Sequence, residues 1–308
     1  MPKVRFVLAV VAAVAGLSAA AVAADRKPAV TFDSFFRMQF YPRGALMRET
    51  VDVAFAPADP SGLEFRIRRA DGTVVVVGPY ADTYRNTAAV FGRATTREPR
   101  IMEFGKGDFV AEYVYGGEVI TQHPFTVAVK STSDYPFNPG ETLKYVGPWQ
   151  EWAYLQFSPD SKSAALHFWA GVSDMPTGRR NDYVNVEVTR GGTLVAKSKK
   201  ASGRLGRKPM QKLKVQLHQP HDDARSVNVP DFTLDDFSAD GVYEVAVKFT
   251  ETGETIRRFQ FSVDGGAITP HPRTVLGYEP HADYIPPRIF KSGGYGYEFD
   301  DVVWIARP

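Results

Sequence analysis

"GDFVAEYVYGGEVITQHPFTVAV" runs from Gly107 to Val129, and "GVYEVAVKFTETGETIRRFQFSV" runs from Gly241 to Val263. Each opens on glycine, alternates apolar with polar residues, breaks at a glycine-bearing turn and alternates again. Two further matches precede them in the same order. "MQFYP" (Met38–Pro42) pairs with "LQFSP" (Leu155–Pro159), and "EFRIRRADGTVVV" (Glu64–Val76) pairs with "NVEVTRGGTLVA" (Asn185–Ala196). Three weak matches in one order point to a diverged tandem duplication.

The repeated unit reads as β-structure. Phe36, Met38 and Phe40 alternate with Arg37 and Gln39. Val51, Val53 and Phe55 alternate with Asp52 and Ala54, and Leu63, Phe65 and Ile67 with Glu64, Arg66 and Arg68. Period two over short runs means strands with one buried face. Ala70-Asp71-Gly72, Gly116-Gly117, Gly191-Gly192 and Thr252-Gly253 stand between such runs as hairpin turns. About seven strands per repeat, without long amphipathic helices, predict an all-β chain of two tandem antiparallel β-sandwiches with a C-terminal extension.

Gly241-Val242-Tyr243 before one strand, and Phe261-Ser262-Val263 closing the next, resemble the penultimate and last strands of immunoglobulin-like and fibronectin-type-III-like sandwiches of secreted bacterial proteins. The resemblance implies that Tyr243 hydrogen-bonds backward to hold the corner where its strand begins. The chain departs from the pattern in three places. Asp240 lies one position closer to the tyrosine than the usual acidic residue, the first repeat has Phe109 in its place, and the cysteines of the inter-sheet bridge are absent.

Export is written at the start. Lys3 and Arg5 precede an apolar run, Phe6–Val14, and Ala21-Val22-Ala23-Ala24 form a small-residue cleavage region before Asp25. This predicts a secretory signal peptide over residues 1–24. No later run approaches the ~20 apolar residues of a spanning helix. The expected location is periplasmic, outer-envelope-associated or extracellular. The formal charge of +2 comes from 37 basic and 35 acidic residues. Removal of Lys3 and Arg5 makes the mature chain neutral, which argues against bulk attachment to nucleic acid or anionic lipid. With Cys 0, burial alone must hold the fold, and thiol chemistry and cysteine-ligated metals are excluded. The mature length suffices for two domains of roughly 100–130 residues. The expected division is a sandwich over 25–130, a linker over 131–140 (STSDYPFNPG), a second sandwich over 141–266, and a proline- and glycine-rich segment over 267–308. Val302-Val303-Trp304-Ile305 is too apolar to leave in water, so that last segment is expected to dock on a sandwich as an edge strand or cover.

Two constellations stand out, both in the second repeat. If Ala153, Leu155 and Phe157 face the core, then Trp152 and Tyr154 face outward. If Leu166, Phe168 and Ala170 face in, His167 and Trp169 face out. Trp152, Tyr154, His167 and Trp169 would then share an outer sheet face, where flat rings suit sugar stacking or a protein partner. The competing reading is that the tail or the other domain covers these rings. The stretch Lys197–Lys214 holds Lys199, Lys200, Arg204, Arg207 and Lys208 among eight basic residues and no acid. It reads as a mobile loop or hairpin extension that contacts an anion, or else as a solvated edge.

No metal site or cofactor is expected. His218 and His221 followed by Asp222 and Asp223 lack the helical spacing that converges imidazoles, and Asp231–Asp240 lacks a calcium-loop pattern. There is no Gly-x-Ser-x-Gly elbow, His-Glu-x-x-His, phosphate loop or dinucleotide fingerprint. The expected role is an exported, non-catalytic binding or structural protein of the cell envelope. Its expected partner is an envelope or secreted protein, or a polysaccharide. The alternative is an envelope-polysaccharide hydrolase or its accessory subunit.

Overall fold

The computed structural model describes residues 30–36, 39–47, 50–53, 62–79, 82–86, 89–93, 101–133, 140–175, 182–206, 208–222, 228–275, 288–292 and 297–308. The expected signal peptide, Arg207 and Asp223 lie outside them. The first part of the chain supplies β1 (Gln39–Tyr41), β2 (Ala45–Met47), β3 (Thr50–Val53), β4 (Leu63–Arg69), β5 (Val74–Pro79) and β6 (Asp82–Asn86). It continues with β7 (Ala89–Arg93), β8 (Ile101–Glu103), β9 (Gly107–Tyr115), β10 (Glu118–Ser133) and β11 (Gly140–Val146). The second part supplies β12 (Trp152–Phe157), β13 (Ala164–Ala170), β14 (Asp182–Arg190), β15 (Thr193–Lys197), β16 (Gly203–Leu205) and β17 (Gln211–Gln216). It ends with β18 (Gly241–Phe249), β19 (Thr255–Asp264), β20 (Ala267–Ile268), β21 (Arg288–Ser292) and β22 (Tyr297–Ala306). One α-helical turn, α1 (Phe32–Phe35), occurs among the described residues.

The protein is all-β, with curled antiparallel sheets. In the first unit a five-stranded sheet, β11–β10–β9–β4–β5, is accompanied by β1–β2–β8 and by a separate β3–β7–β6 sheet. In the second unit the path runs β15–β14–β18–β19–β22–β12–β13–β17. This path bends back on itself. β19 meets β22 through a single residue pair, Gln260 opposite Ala306, and the two ends approach again at the bridge Lys197–His218. Val184, Val186 and Val188 of β14 and Tyr243, Val245, Val247 and Phe249 of β18 meet Leu155, Leu166, Phe168 and Ile305 in the enclosed core.

The stretches that match in sequence also agree in strand order. β5–β4–β9–β10 and β15–β14–β18–β19 have the same order. Ile67 lies opposite Ala111, and their counterparts Val188 and Val245 lie opposite each other. A register shift falls between Ile67 and Arg68 in one hairpin and between Val188 and Thr189 in the other. Such bulges re-aim a strand, so an identical placement marks shared local geometry. The sequence match slips in the last strand. Phe109 faces Phe125, whereas Tyr243 faces Phe261, two residues beyond the aligned position, because the β18–β19 turn is longer. The turns Gly116-Gly117 (φ 57°, 86°) and Gly191-Gly192 (φ 53°, 80°) place both central residues at positive φ. Tight hairpins of matching twist need that conformation, and only glycine adopts it cheaply.

The expected linker is corrected in part. Ser131, Thr132 and Ser133 continue β10 and pair with Thr142, Glu141 and Gly140. Strand β11 thus belongs to the first unit, where Leu143 and Tyr145 fill its core; the second sheet begins at Trp152. At the other end β22 pairs along β12 from Trp152–Ala306 to Gln156–Val302. Trp304 and Ile305 then enter different clusters, one on each face. Tyr243 Oη donates to the carbonyl of Ala239 at 2.9 Å, the backward bond that the resemblance implied.

Candidate functional site

Strand β13, AALHFWA, is buried at all seven positions. Its outward residues therefore meet protein, not water. Tyr154 and Trp169 are fully buried, and His167 nearly so. The chain's own N-terminal segment covers them. The ring of Phe32 lies 5.4 Å from Trp169, 5.8 Å from Trp304 and 6.3 Å from Trp152, each edge-on. Trp169 Nε1 donates to the Phe36 carbonyl at 2.8 Å. From the other side His123 of β10 packs against Phe35 at 4.3 Å, with Tyr113 at 5.0 Å. Helix α1 is a wedge between the two units. Tyr154, Trp169 and Trp304 consequently share one core cluster with Phe40, Phe65 and Phe125. Aromatic rings bury roughly 150–250 Å² each, so re-exposing three of them costs on the order of 10 kcal/mol. Sugar stacking does not recover that sum, and the expected aromatic binding face is a structural joint. Trp152 is half-buried, its ring flanked by His271 at 4.9 Å and the Arg273 guanidinium at 5.3 Å.

A charge pair pins the wedge. Lys212 Nζ donates to Asp33 Oδ1 at 2.6 Å, and Tyr154 Oη donates to the same oxygen at 3.0 Å. The Lys212 ammonium also lies 5.0 Å from the Tyr154 ring, on which His167 stacks at 4.7 Å. Sequence reading missed Asp33, which sits in an otherwise apolar stretch and looks like an ordinary polar break.

Part of the basic stretch, expected as a mobile loop or hairpin extension, is built into the sheets as β16 and β17. β16 pairs with β14, and β17 pairs with β13. Gly203 is needed there, since a Cβ would come within 2.6 Å of Val184 Cγ2. Lys199 is half-buried, while Lys200 and Arg204 are exposed. Lys208 lies 5.9 Å from the Tyr41 ring. These residues do not converge with Trp152, Tyr154, His167 or Trp169. The acids downstream act locally: Asp235 pairs with Lys162, Asp236 accepts from Thr233 N, and Asp240 accepts from Gly266 N. His218 Nδ1 lies 3.1 Å from Asp231 Oδ1, and burial holds its pKa below the ordinary histidine value. Among the described residues no group of three or more His, Asp or Glu could hold a metal ion.

A concave feature that gathers charge lies beside the lone β19–β22 pair, Gln260 and Ala306. It is a cleft of about 360 Å³ lined by Gln150, Thr255, Ile256, Arg257, Arg258, Arg307 and Pro308. No carboxylate side chain lines it. Arg257 is held from behind, donating to Asp174 Oδ1 at 2.5 Å, and Arg307 lies 3.3 Å from the exposed Glu151. Arg258 is exposed and has no carboxylate partner among the described residues. A second groove adjoins at Gln150, lined by Lys130, Lys144, Ser173, Asp174 and Glu254. There Lys130 Nζ donates to the carbonyls of Ser173 and Met175, tying β10 to the second unit. Burial lowers the Lys130 pKa, Asp174 opposes that shift, and Lys144 adds to it. The adjacent pair Arg257-Arg258 was the available sequence signal; Arg307, far along the chain, gave none.

No protein-family model, curated protein or solved structure matches the chain. No helix among the described residues is long and apolar enough to cross a membrane.

Proposed function

We propose that this chain is an exported, non-catalytic binding protein of the cell envelope, acting as a braced pair of immunoglobulin-like units. The leader-like residues 1–24 support export. The tandem fibronectin-type-III-like reading is supported by the shared order β5–β4–β9–β10 and β15–β14–β18–β19 and by the Tyr243–Ala239 bond. The observation that carries the binding role is the cleft at the β19–β22 seam. Arg257 and Arg258 of β19 and Arg307, just past β22, all line it, with no lining carboxylate side chain. Asp174 answers Arg257 and Glu151 lies beside Arg307, so Arg258 is the charge left for an anionic partner. A glycan of the envelope is the partner of choice.

The test is co-sedimentation of the mature protein with purified envelope polysaccharide from the cells that make it. Wild type is run beside Arg258→Gln/Arg307→Gln, both confirmed folded by circular dichroism. The reading expects wild type in the pellet, released by salt, and the variant in the supernatant. Wild type that stays in solution at low salt overturns it.

A further inference from the structure

We infer that the β19–β22 cleft takes a carboxylate-bearing sugar, a uronate residue within a glycan. This rests on the binding reading above and names its ligand chemistry. The guanidinium group is a planar fork that matches a carboxylate through two parallel hydrogen bonds. Arg258 lines the cleft from β19 and Arg307 from just past the end of β22, while Arg257 is held by Asp174. The remaining lining suits the rest of a sugar. The Gln150 amide and the Thr255 hydroxyl each donate and accept, as ring hydroxyls require. Ile256 offers one small apolar contact, the size of a sugar's C–H face and too little for a large apolar side chain. About 360 Å³ lies at the lower end of small-ligand clefts, the scale of one or two sugar rings.

The probe is trigalacturonate, titrated calorimetrically into the full-length mature protein at low salt and neutral pH. Its controls are the fully methyl-esterified trimer and inorganic phosphate. The expected result is saturable one-to-one binding of the acid and at least tenfold weaker binding of the ester. Arg258→Gln and Arg307→Gln, both at exposed positions, should each weaken the acid about tenfold. Acid and ester binding alike, phosphate binding as tightly as the trimer, or variants binding as wild type does would each overturn the assignment. Absence of trimer binding would overturn it too. Co-sedimentation with whole envelope polysaccharide would then still report separately on the broader binding role.

Discussion

Replacing Lys212 by methionine tests whether the wedge is held by charge. The substitution keeps most of the apolar stem and removes the ammonium 2.6 Å from Asp33 Oδ1. The Asp33 side chain is 2% exposed and that of Lys212 20%. Breaking a buried pair from one side costs about 3–5 kcal/mol, because the remaining charge stays desolvated. Water reaches part of Lys212, and Tyr154 still donates to Asp33, so the lower end applies. The expected loss is about 3 kcal/mol, roughly 150-fold in the folding equilibrium. In urea, with an m-value near 3 kcal/mol/M, the midpoint falls by about 1 M. Asp33→Asn alone should cost less, about 1–2 kcal/mol, since Lys212 can turn toward solvent. The double variant should cost little more than Asp33→Asn, giving a coupling of about 2–3 kcal/mol. The cycle is read by equilibrium unfolding followed by tryptophan fluorescence, which reports the adjacent Trp169 and Trp304. A Lys212→Met cost under about 1 kcal/mol, or additivity within about 0.5 kcal/mol, would refute the argument that charge pins the wedge.

Trp169→Phe loses the bond to the Phe36 carbonyl and leaves a small cavity; urea unfolding should show a loss of about 2–3 kcal/mol. Tyr243→Phe removes only the bond to Ala239 and should cost about 1 kcal/mol in the same assay without changing trigalacturonate affinity. Because Trp304 and Phe40 share one cluster, calorimetry should show one unfolding transition for both units, and two separated transitions would contradict the joint. Burial, with Arg273 nearby, lowers the pKa of His271; burial likewise lowers that of His218, partly offset by Asp231. A histidine held neutral by the fold, yet protonating near 6.5 when unfolded, supports stability above about pH 6.5 and withdraws that support as pH falls through the lowered value. Tm should therefore decline as pH falls below about 6.5, and the decline should flatten in His218→Gln/His271→Gln; a Tm that rises on acidification from there contradicts the sign.

The strands and their hairpins were legible because they depend on neighbours close in the chain. Alternation sets which side of β14 or β18 meets the core, and glycine pairs set where a hairpin turns. What lies over the outer side of a sheet is not a local property. Trp152, Tyr154, His167 and Trp169 were correctly placed away from the second core, yet the same alternation could not say that α1 and the first unit would cover them. One sign was present: Ala164–Ala170 is nearly continuous in apolar residues, the mark of a strand buried on both faces. Asp33 and Lys212 lie 179 residues apart, and Arg258 and Arg307 line one cleft only because β19 and β22 come side by side. The sequence alone determined which residues turn inward along each strand, through a periodicity that every strand carries within itself. The tertiary structure decided which outward residues meet water and which meet protein, because that depends on how the sheets curl and on which distant segment fills the space between them.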